Sequence, residues 1–291
     1  MKNIRYSLTE FESTLEYFLA SMAQNYAELG EPVDMPQEAY EAFLKNVKVQ
    51  SQYQHSDCTF YMAVNHKTTE LEWLYQIDKA LGVPNDLSSM AFFKLIHPDY
   101  FKMYMIWALC AADFAAVESN PRIRPLSHTY HITLPLRRND GTYHWFHQQS
   151  RPLRMDANGQ MCVFFNTYQY GGEWNEYTLR PLIPHVTFDN APKSDITTRL
   201  TVHFCKFIKQ FFTLKELEII KLYATDLSVE EAAQAMHIKR LTLLDYNKSI
   251  LGKANTLFCY QFDTAKRAAK FLTEKKLIPP YVGDSFVQTT R

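Results

Sequence analysis

No stretch of the 291-residue chain approaches the ~18 consecutive apolar residues that a bilayer-spanning helix needs. The opening residues, MKNIRYSLTEFEST, lack the apolar core of a secretory signal, so a cytoplasmic location is expected, with no membrane partner. The five cysteines, Cys58, Cys110, Cys162, Cys205 and Cys259, never fall within three residues of one another. That spacing offers no CxxC pair and no zinc-ligand set, so the thiols are read as scattered and reduced, and no metal or cofactor is expected. Phosphate loop, serine nucleophile elbow and catalytic constellation are all missing, which argues against an enzyme. The acidic phosphoacceptor pocket of a receiver domain is also missing. There is no internal repeat and no low-complexity segment.

Net charge is absent too, with 31 basic and 31 acidic residues, but the balance is local. Residues 193–291 hold 16 Lys and Arg against 10 Asp and Glu, a surplus of +6, and the first 192 residues carry the matching deficit. A basic C-terminal part points to an acidic partner. With 46% hydrophobic and 21% charged residues the composition is that of a globular protein, and the length suits two domains.

Helical periodicity comes first along the chain. Ser7-Leu8-Thr9-Glu10 is a capping-box pattern ahead of a stripe at Phe11, Leu15, Phe18, Met22, Tyr26 and Leu29. A second helix is expected to begin near Pro36, with Tyr40, Phe43, Leu44 and Val47 on one side. From residue 57 the pattern changes. Phe60–Asn65 and Leu71–Tyr75 read as short strands, 76–116 as helices with the longest from about Pro98 to Val117, then 128–137, 143–154 and 161–170 as three strands. Asn139-Asp140-Gly141 and Asp156-Ala157-Asn158-Gly159 carry the Asp-Gly and Asn-Gly steps of tight hairpins. Gly171-Gly172 and three prolines mark residues 171–194 as an interdomain linker, and Ile196, Leu200, Phe204, Phe207, Ile208 and Phe211 mark a further helix.

The segment 57–172 resembles a PAS domain in element order and in three short motifs. These are Phe92-Phe93-Lys94-Leu95-Ile96-His97-Pro98-Asp99, Arg138 to Trp145, and Pro152-Leu153-Arg154 through Asn158-Gly159. With two-residue hairpin loops, Leu136 would face Trp145, Leu134 His147, Ile132 Gln149, Leu153 Phe164 and Arg151 Asn166. One sheet face would then carry Ile132, Leu134, Leu136, Trp145, His147, Gln149, Arg151, Leu153, Cys162, Phe164 and Asn166. The resemblance implies that this face lines a ligand pocket, with Trp145, His147, Gln149, Arg151, Phe164 and Asn166 as candidate contacts for a small molecule. A self-satisfied polar cluster in a ligand-free core is the alternative. A one-residue slip would exchange the two faces. His97 is read as a turn residue bonding the backbone rather than a haem ligand. No Asn-Cys-Arg-Phe motif supports flavin photochemistry, and the alternation of a strand separates His128, His131, His144 and His147 too far for a four-histidine metal site.

The segment 212–280 resembles a LuxR-type (GerE-like) helix-turn-helix domain. Thr213 with Glu216 and Ser228 with Glu231 are two capping boxes, His237-Ile238-Lys239-Arg240 stands where the turn belongs, and Leu241–Lys253 matches the recognition helix. A closing helix is expected at about 264–275. The resemblance implies binding of double-stranded DNA, with the second helix of the motif in the major groove. Leu243, Ile250 and Leu251 would seat that helix, and Lys239, Arg240, Thr242, Asp245, Asn247, Lys248 and Lys253 are its candidate DNA contacts. The sequence departs from the family at Glu230 and Leu244, where Lys is frequent, at Asp245 and Tyr246, and at Asp226, where Gly is usual.

The expected fold class is α+β: N-terminal helices (1–56), a PAS-like sensor with a five-stranded antiparallel sheet (57–172), a linker and linker helix (173–211), an all-α four-helix domain (212–280) and a tail (281–291). The expected function is a one-component transcription regulator acting as a homodimer. The alternative is an adaptor that pairs through its PAS half and carries a degenerate helix-turn-helix.

Overall fold

The computed structural model describes residues 30–33, 35–53, 58–117, 125–126, 128–175, 185–188, 203–206, 208–258, 260–275 and 277–278, together with 16, 20 and 27. The chain divides into two units, residues 1–197 and 198–291. The expected stripe at 11–29 and Cys259 lie essentially outside the described residues, as does the tail.

Alternating and branched residues over short spans make the first unit a sheet. Its strands are β1 (Thr59–Asn65), β2 (Glu70–Tyr75), β3 (His128–Arg137), β4 (Tyr143–Met155), β5 (Met161–Glu173) and β6 (His185–Phe188). They pair antiparallel in the order β2-β1-β5-β4-β3-β6. Six strands therefore replace the expected five. The sixth falls inside the segment read as linker, because four residues flanked by prolines are too few to show alternation. Four helices belong to this unit: α1 (Gln37–Tyr53), α2 (Ile77–Leu81), α3 (Ser89–Phe93) and α4 (Pro98–Val117).

Both hairpins correct the expected register. Arg138 N–H donates to Thr142 O (2.8 Å) and Gly141 N–H to Arg138 O (3.0 Å), closing a three-residue loop with Gly141 at φ 84°. Asp156 and Gln160 close the second loop in the same way, with Gly159 at φ 76°. One extra loop residue slides every pair by one. Leu134 faces Phe146 and Ile132 faces Gln148, while His147 faces Thr133, Gln149 faces His131, Trp145 faces Pro135 and Arg151 faces Phe165.

Pairing across the strands then defines two rows. One contains Tyr130, Ile132, Leu134, Leu136, Phe146, Gln148, Asn166, Tyr168, Phe60 and Met62, all buried. It packs on α3 and α4: Phe60 stacks on Tyr168 at 4.4 Å, Phe92 meets both edge-on, and Trp107 approaches Tyr130. Each such ring withdrawn from water contributes about 1.5–3 kcal/mol. The second row, which includes His147, Gln149, Arg151, Phe165 and Tyr61, is half-buried to buried, and α1 packs against it. Phe43 of α1 meets Phe165 edge-on at 5.1 Å, Tyr40 donates to Glu72 (2.8 Å), and Lys48 lies over Trp73 and Tyr75.

The second unit is helical: α5 (Leu214–Ala224), α6 (Val229–Ala235), α7 (Arg240–Phe258) and α8 (Ala265–Glu274). Residues 203–206 and 208–209 are helical as well, with Phe204 and Ile208 buried. The start of α5 follows from Thr213, whose hydroxyl accepts from Glu216 N–H while the Glu216 carboxylate accepts from Thr213 N–H, and Ser228 with Glu231 repeats the device on α6. Ala265, Ala268, Ala269 and Leu272 form the buried stripe of α8, and their small size lets α8 lie close to α5 and α7. The core also takes Ile219, Ile220, Tyr223, Leu243, Ile250, Ala254 and Leu257.

Candidate functional site

The register divides the six candidate ligand contacts in two. Phe164 and Asn166 lie in the buried row, whereas Trp145, His147, Gln149 and Arg151 belong to the opposite row. His147 Nδ1 bonds Thr133 Oγ1 and its Nε2 bonds His131 Nδ1, both at 3.1 Å. Arg151 Nε donates to Thr129 Oγ1 (3.0 Å), Gln149 is half-buried, and the Trp145 ring meets Tyr100 of α4 edge-on. The expectation that His147, Gln149 and Arg151 point together into the interior is thus overturned.

Their places are taken by Gln148 and Tyr168, with Tyr104 of α4 opposite and Asn166 alongside. Gln148 Nε2 donates to Asn166 Oδ1 at 3.0 Å, deep in the sheet unit. Tyr104 lies within reach of the Gln148 amide and the Tyr168 hydroxyl, yet Gln148 Oε1 and Tyr168 Oη make no well-formed hydrogen bond. A buried polar atom left so costs about 1–3 kcal/mol unless something else meets it. Burial pushes the Tyr104 hydroxyl up to about 12, and burial with the neighbouring Tyr104 raises Tyr168 further, so both stay neutral. Sequence reasoning missed this cluster because Trp145 and Phe146 serve equally well as the apolar partner of Leu134 and Leu136.

His97 Nδ1 accepts from Asp99 N–H at 3.2 Å, and the ring packs against Tyr143 and Trp174. His131 and His147 do meet, on the side away from His144, but among the described residues no group of three or more His, Cys, Asp or Glu is arranged to hold a metal ion. No helix among them is long and apolar enough to cross a membrane.

In the helical unit α6 and α7 are joined by Met236–Lys239, with His237 at φ 52° where the chain reverses. Leu243, Ile250, Ala254 and Leu257 face the core, which turns Leu241, Asp245 and Lys248 outward. Lys239, Arg240 and Thr242 are exposed at the start of α7. Among the seven candidate DNA contacts, five are therefore on the surface. Arg240 Nε holds Glu230 at 2.6 Å, and Lys248 stands 3.6 Å from Asp245. Exposed pairs of this kind are worth little and exchange readily for other anions.

The remaining two are engaged internally. Asn247 Oδ1 accepts from Tyr223 Oη at 2.9 Å. Lys253 Nζ donates to Glu216, which also takes Ser249 Oγ, each at 2.6 Å. Burial alone would raise the Glu216 carboxyl, but the bonds from Lys253, Ser249 and Thr213 outweigh it and hold the pKa below its usual value. Glu216 is legible as a capping residue, but its second role as the anchor of α7 is not. At the turn after α5, Asp226 takes φ 67° and is bracketed by Lys266 and Lys270 of α8.

No protein-family model matches the chain, and no curated protein matches it. Among solved structures, the Vibrio cholerae VqmA dimer in the absence of target DNA, described among LuxR-type receptors, aligns at 14% identity over 81% of this chain and 94% of its own, with a TM-score of 0.26. The phage VqmA–DPO complex aligns at 9% identity over 81% and 93% (TM-score 0.26), and Escherichia coli SdiA at 11% over 91% and 99% (TM-score 0.23). Superpositions this loose carry no functional assignment.

Proposed function

We propose that the chain is a transcription regulator in which the helical unit binds duplex DNA through α7 and the sheet unit, a PAS-like sensor, receives a small molecule or a partner. The observation that carries the reading is the α6–turn–α7 arrangement. Two short helices are fixed by reciprocal caps, a four-residue turn follows, and a long helix then presents Lys239, Arg240, Thr242, Asp245 and Lys248 on its outer side. That is the geometry with which helix-turn-helix proteins enter the major groove. The surplus of +6 over residues 193–291 supplies the long-range attraction to phosphate. The finer organisation belongs to the same proposal: sensor over 57–172, linker to 211, LuxR-type DNA-binding domain over 212–280, a homodimer in the cytoplasm, no catalytic activity.

The sensor reading rests on the neutral cluster of Tyr104, Gln148, Asn166 and Tyr168. Buried polar atoms short of partners, set among aromatic rings, suit a small uncharged molecule that both donates and accepts hydrogen bonds.

The test is retention of DNA by the full-length protein from a random-sequence pool at low salt, repeated at rising salt. Binding that weakens with a log–log slope of about −0.9 per phosphate contact, and that Lys239→Glu with Arg240→Glu abolishes, supports the reading. A folded protein that retains no duplex at low salt refutes it and leaves the adaptor.

A further inference from the structure

On the outer side of α7 the group best exposed to a ligand is not a cation. Leu241 is 72% exposed, and apart from Leu214 at the start of α5 it is the only large apolar side chain so exposed among the described residues of the helical unit. Leu244 is half-buried one turn further on. Together they border a groove of about 740 Å³ whose walls include Val229 and Leu251, with Lys248 and Lys266 on the lining. The polar neighbours on this side compensate one another, Arg240 with Glu230 and Lys248 with Asp245. What the first turns of α7 hold out uncompensated is hydrocarbon.

We propose that Leu241, supported by Leu244, is a specificity-determining contact that reads thymine methyl groups in the major groove; this rests on the DNA-binding reading above. The N-terminal residues of a recognition helix are those that reach base edges. In the major groove the C5-methyl of thymine is the one apolar group, and apolar side chains read it. The setting favours DNA over a protein as occupant. A protein-docking patch spreads over several hundred Å² of contiguous apolar surface, whereas Leu241 is a single leucine close to Lys239, Arg240 and Lys248, which suit flanking phosphates. Asp245, one turn beyond, would accept from a cytosine amino group once Lys248 turns to the backbone.

The experiment uses the full-length protein and the duplex recovered from the pool. Each dT of the bound site is replaced in turn by deoxyuridine, which removes only the methyl group. The expected result is one or two positions per half-site at which binding weakens about fourfold, the worth of one methyl contact. With Leu241→Ala the original duplex is already bound about that much more weakly, and deoxyuridine at those positions has no further effect. Leu241→Met, which keeps apolar volume, preserves both affinity and deoxyuridine sensitivity, and Leu214→Ala changes neither. Binding that no single deoxyuridine alters overturns the proposal while leaving DNA binding intact. So does Leu241→Ala with full affinity and full deoxyuridine sensitivity, the result expected of a leucine that docks a protein. Failure to bind any duplex overturns the DNA-binding reading itself, and this proposal with it.

Discussion

At the centre of the sheet unit the buried polar groups are neutral and incompletely partnered: Gln148 with Asn166, and the hydroxyl of Tyr168. Its buried carboxylate, Asp156, sits at a hairpin turn and takes three backbone N–H donors, from Gly30, Asn158 and Gln160. In the helical unit the buried carboxylate, Glu216, is tied to a lysine, a serine and its own helix cap. A core whose polar atoms lack partners retains capacity to bind something. A core in which the charged group is fully met holds its helices in one geometry, as a platform presenting side chains to DNA must. All four tryptophans, Trp73, Trp107, Trp145 and Trp174, lie in the sheet unit. Tryptophan fluorescence therefore follows that unit in the intact protein, and far-UV ellipticity is weighted toward the helical one.

The largest effect separating the two units is expected from Tyr168. Its ring stacks on Phe60 and meets Phe92, so Tyr168→Ala should cost about 3–5 kcal/mol, lowering the fluorescence transition and sparing the helical one. Tyr168→Phe removes a hydroxyl without a well-formed bond and should be neutral or slightly stabilising. A loss above about 2 kcal/mol for the phenylalanine variant would mean that the hydroxyl is satisfied after all.

Next in size is Glu216→Ala, which strands Lys253, Ser249 and the Thr213 amide. A loss of about 2–3 kcal/mol is expected, confined to the ellipticity transition. Coincident loss in both signals would show that the units unfold as one.

Acid distinguishes the units in a third way. Burial holds His66 neutral, with its pKa down at about 4, against an unfolded value of 6.5. The unfolded chain thus binds more protons between those values, and stability present above pH 6.5 drains away toward pH 4, by on the order of 2 kcal/mol. His144, lowered by burial and by Arg138, adds in the same sense. Glu216 titrates below the usual carboxylate value, so its contribution persists above pH 4.5 and fades only below it. Between pH 6.5 and 4.5 the fluorescence melting temperature should fall while the ellipticity transition holds, and His66→Gln should flatten the fall.

The two units were also unequally legible in sequence. Helix caps are local, so Thr213 with Glu216 and Ser228 with Glu231 placed α5 and α6 to the residue. Strand limits were nearly as clear, since alternation and hairpin glycines bracket them. Register was not, because an Asp-Gly or Asn-Gly step closes a two-residue loop or ends a three-residue one equally well. Gly141 and Gly159 both do the latter. That single residue moved His147, Gln149 and Arg151 off the interior and brought Gln148 in. The candidate DNA contacts fared better at the surface than at the sides of α7, where Asn247 and Lys253 serve the fold. Long-range partners such as Tyr223 and Glu216 leave no trace in helical periodicity.

The smallest expected effects test the caps, and they differ from each other for a stated reason. Removing a Ser or Thr cap costs typically about 1 kcal/mol, since one helix-end N–H loses its acceptor. Ser228→Ala should stay near that figure: its box with Glu231 is exposed, and water can replace the lost bonds. Thr213→Ala should cost more, because the carboxylate that completes its box is the buried Glu216, whose position also fixes Ser249 and Lys253 on α7. Loosening that cap thus reaches the recognition helix, whereas loosening the other stays at the start of α6. Ellipticity melting of the two variants provides the check, with the fluorescence transition as internal reference. Equal losses would mean that Glu216 keeps its place without Thr213, and that α7 is anchored by Lys253 and Ser249 alone.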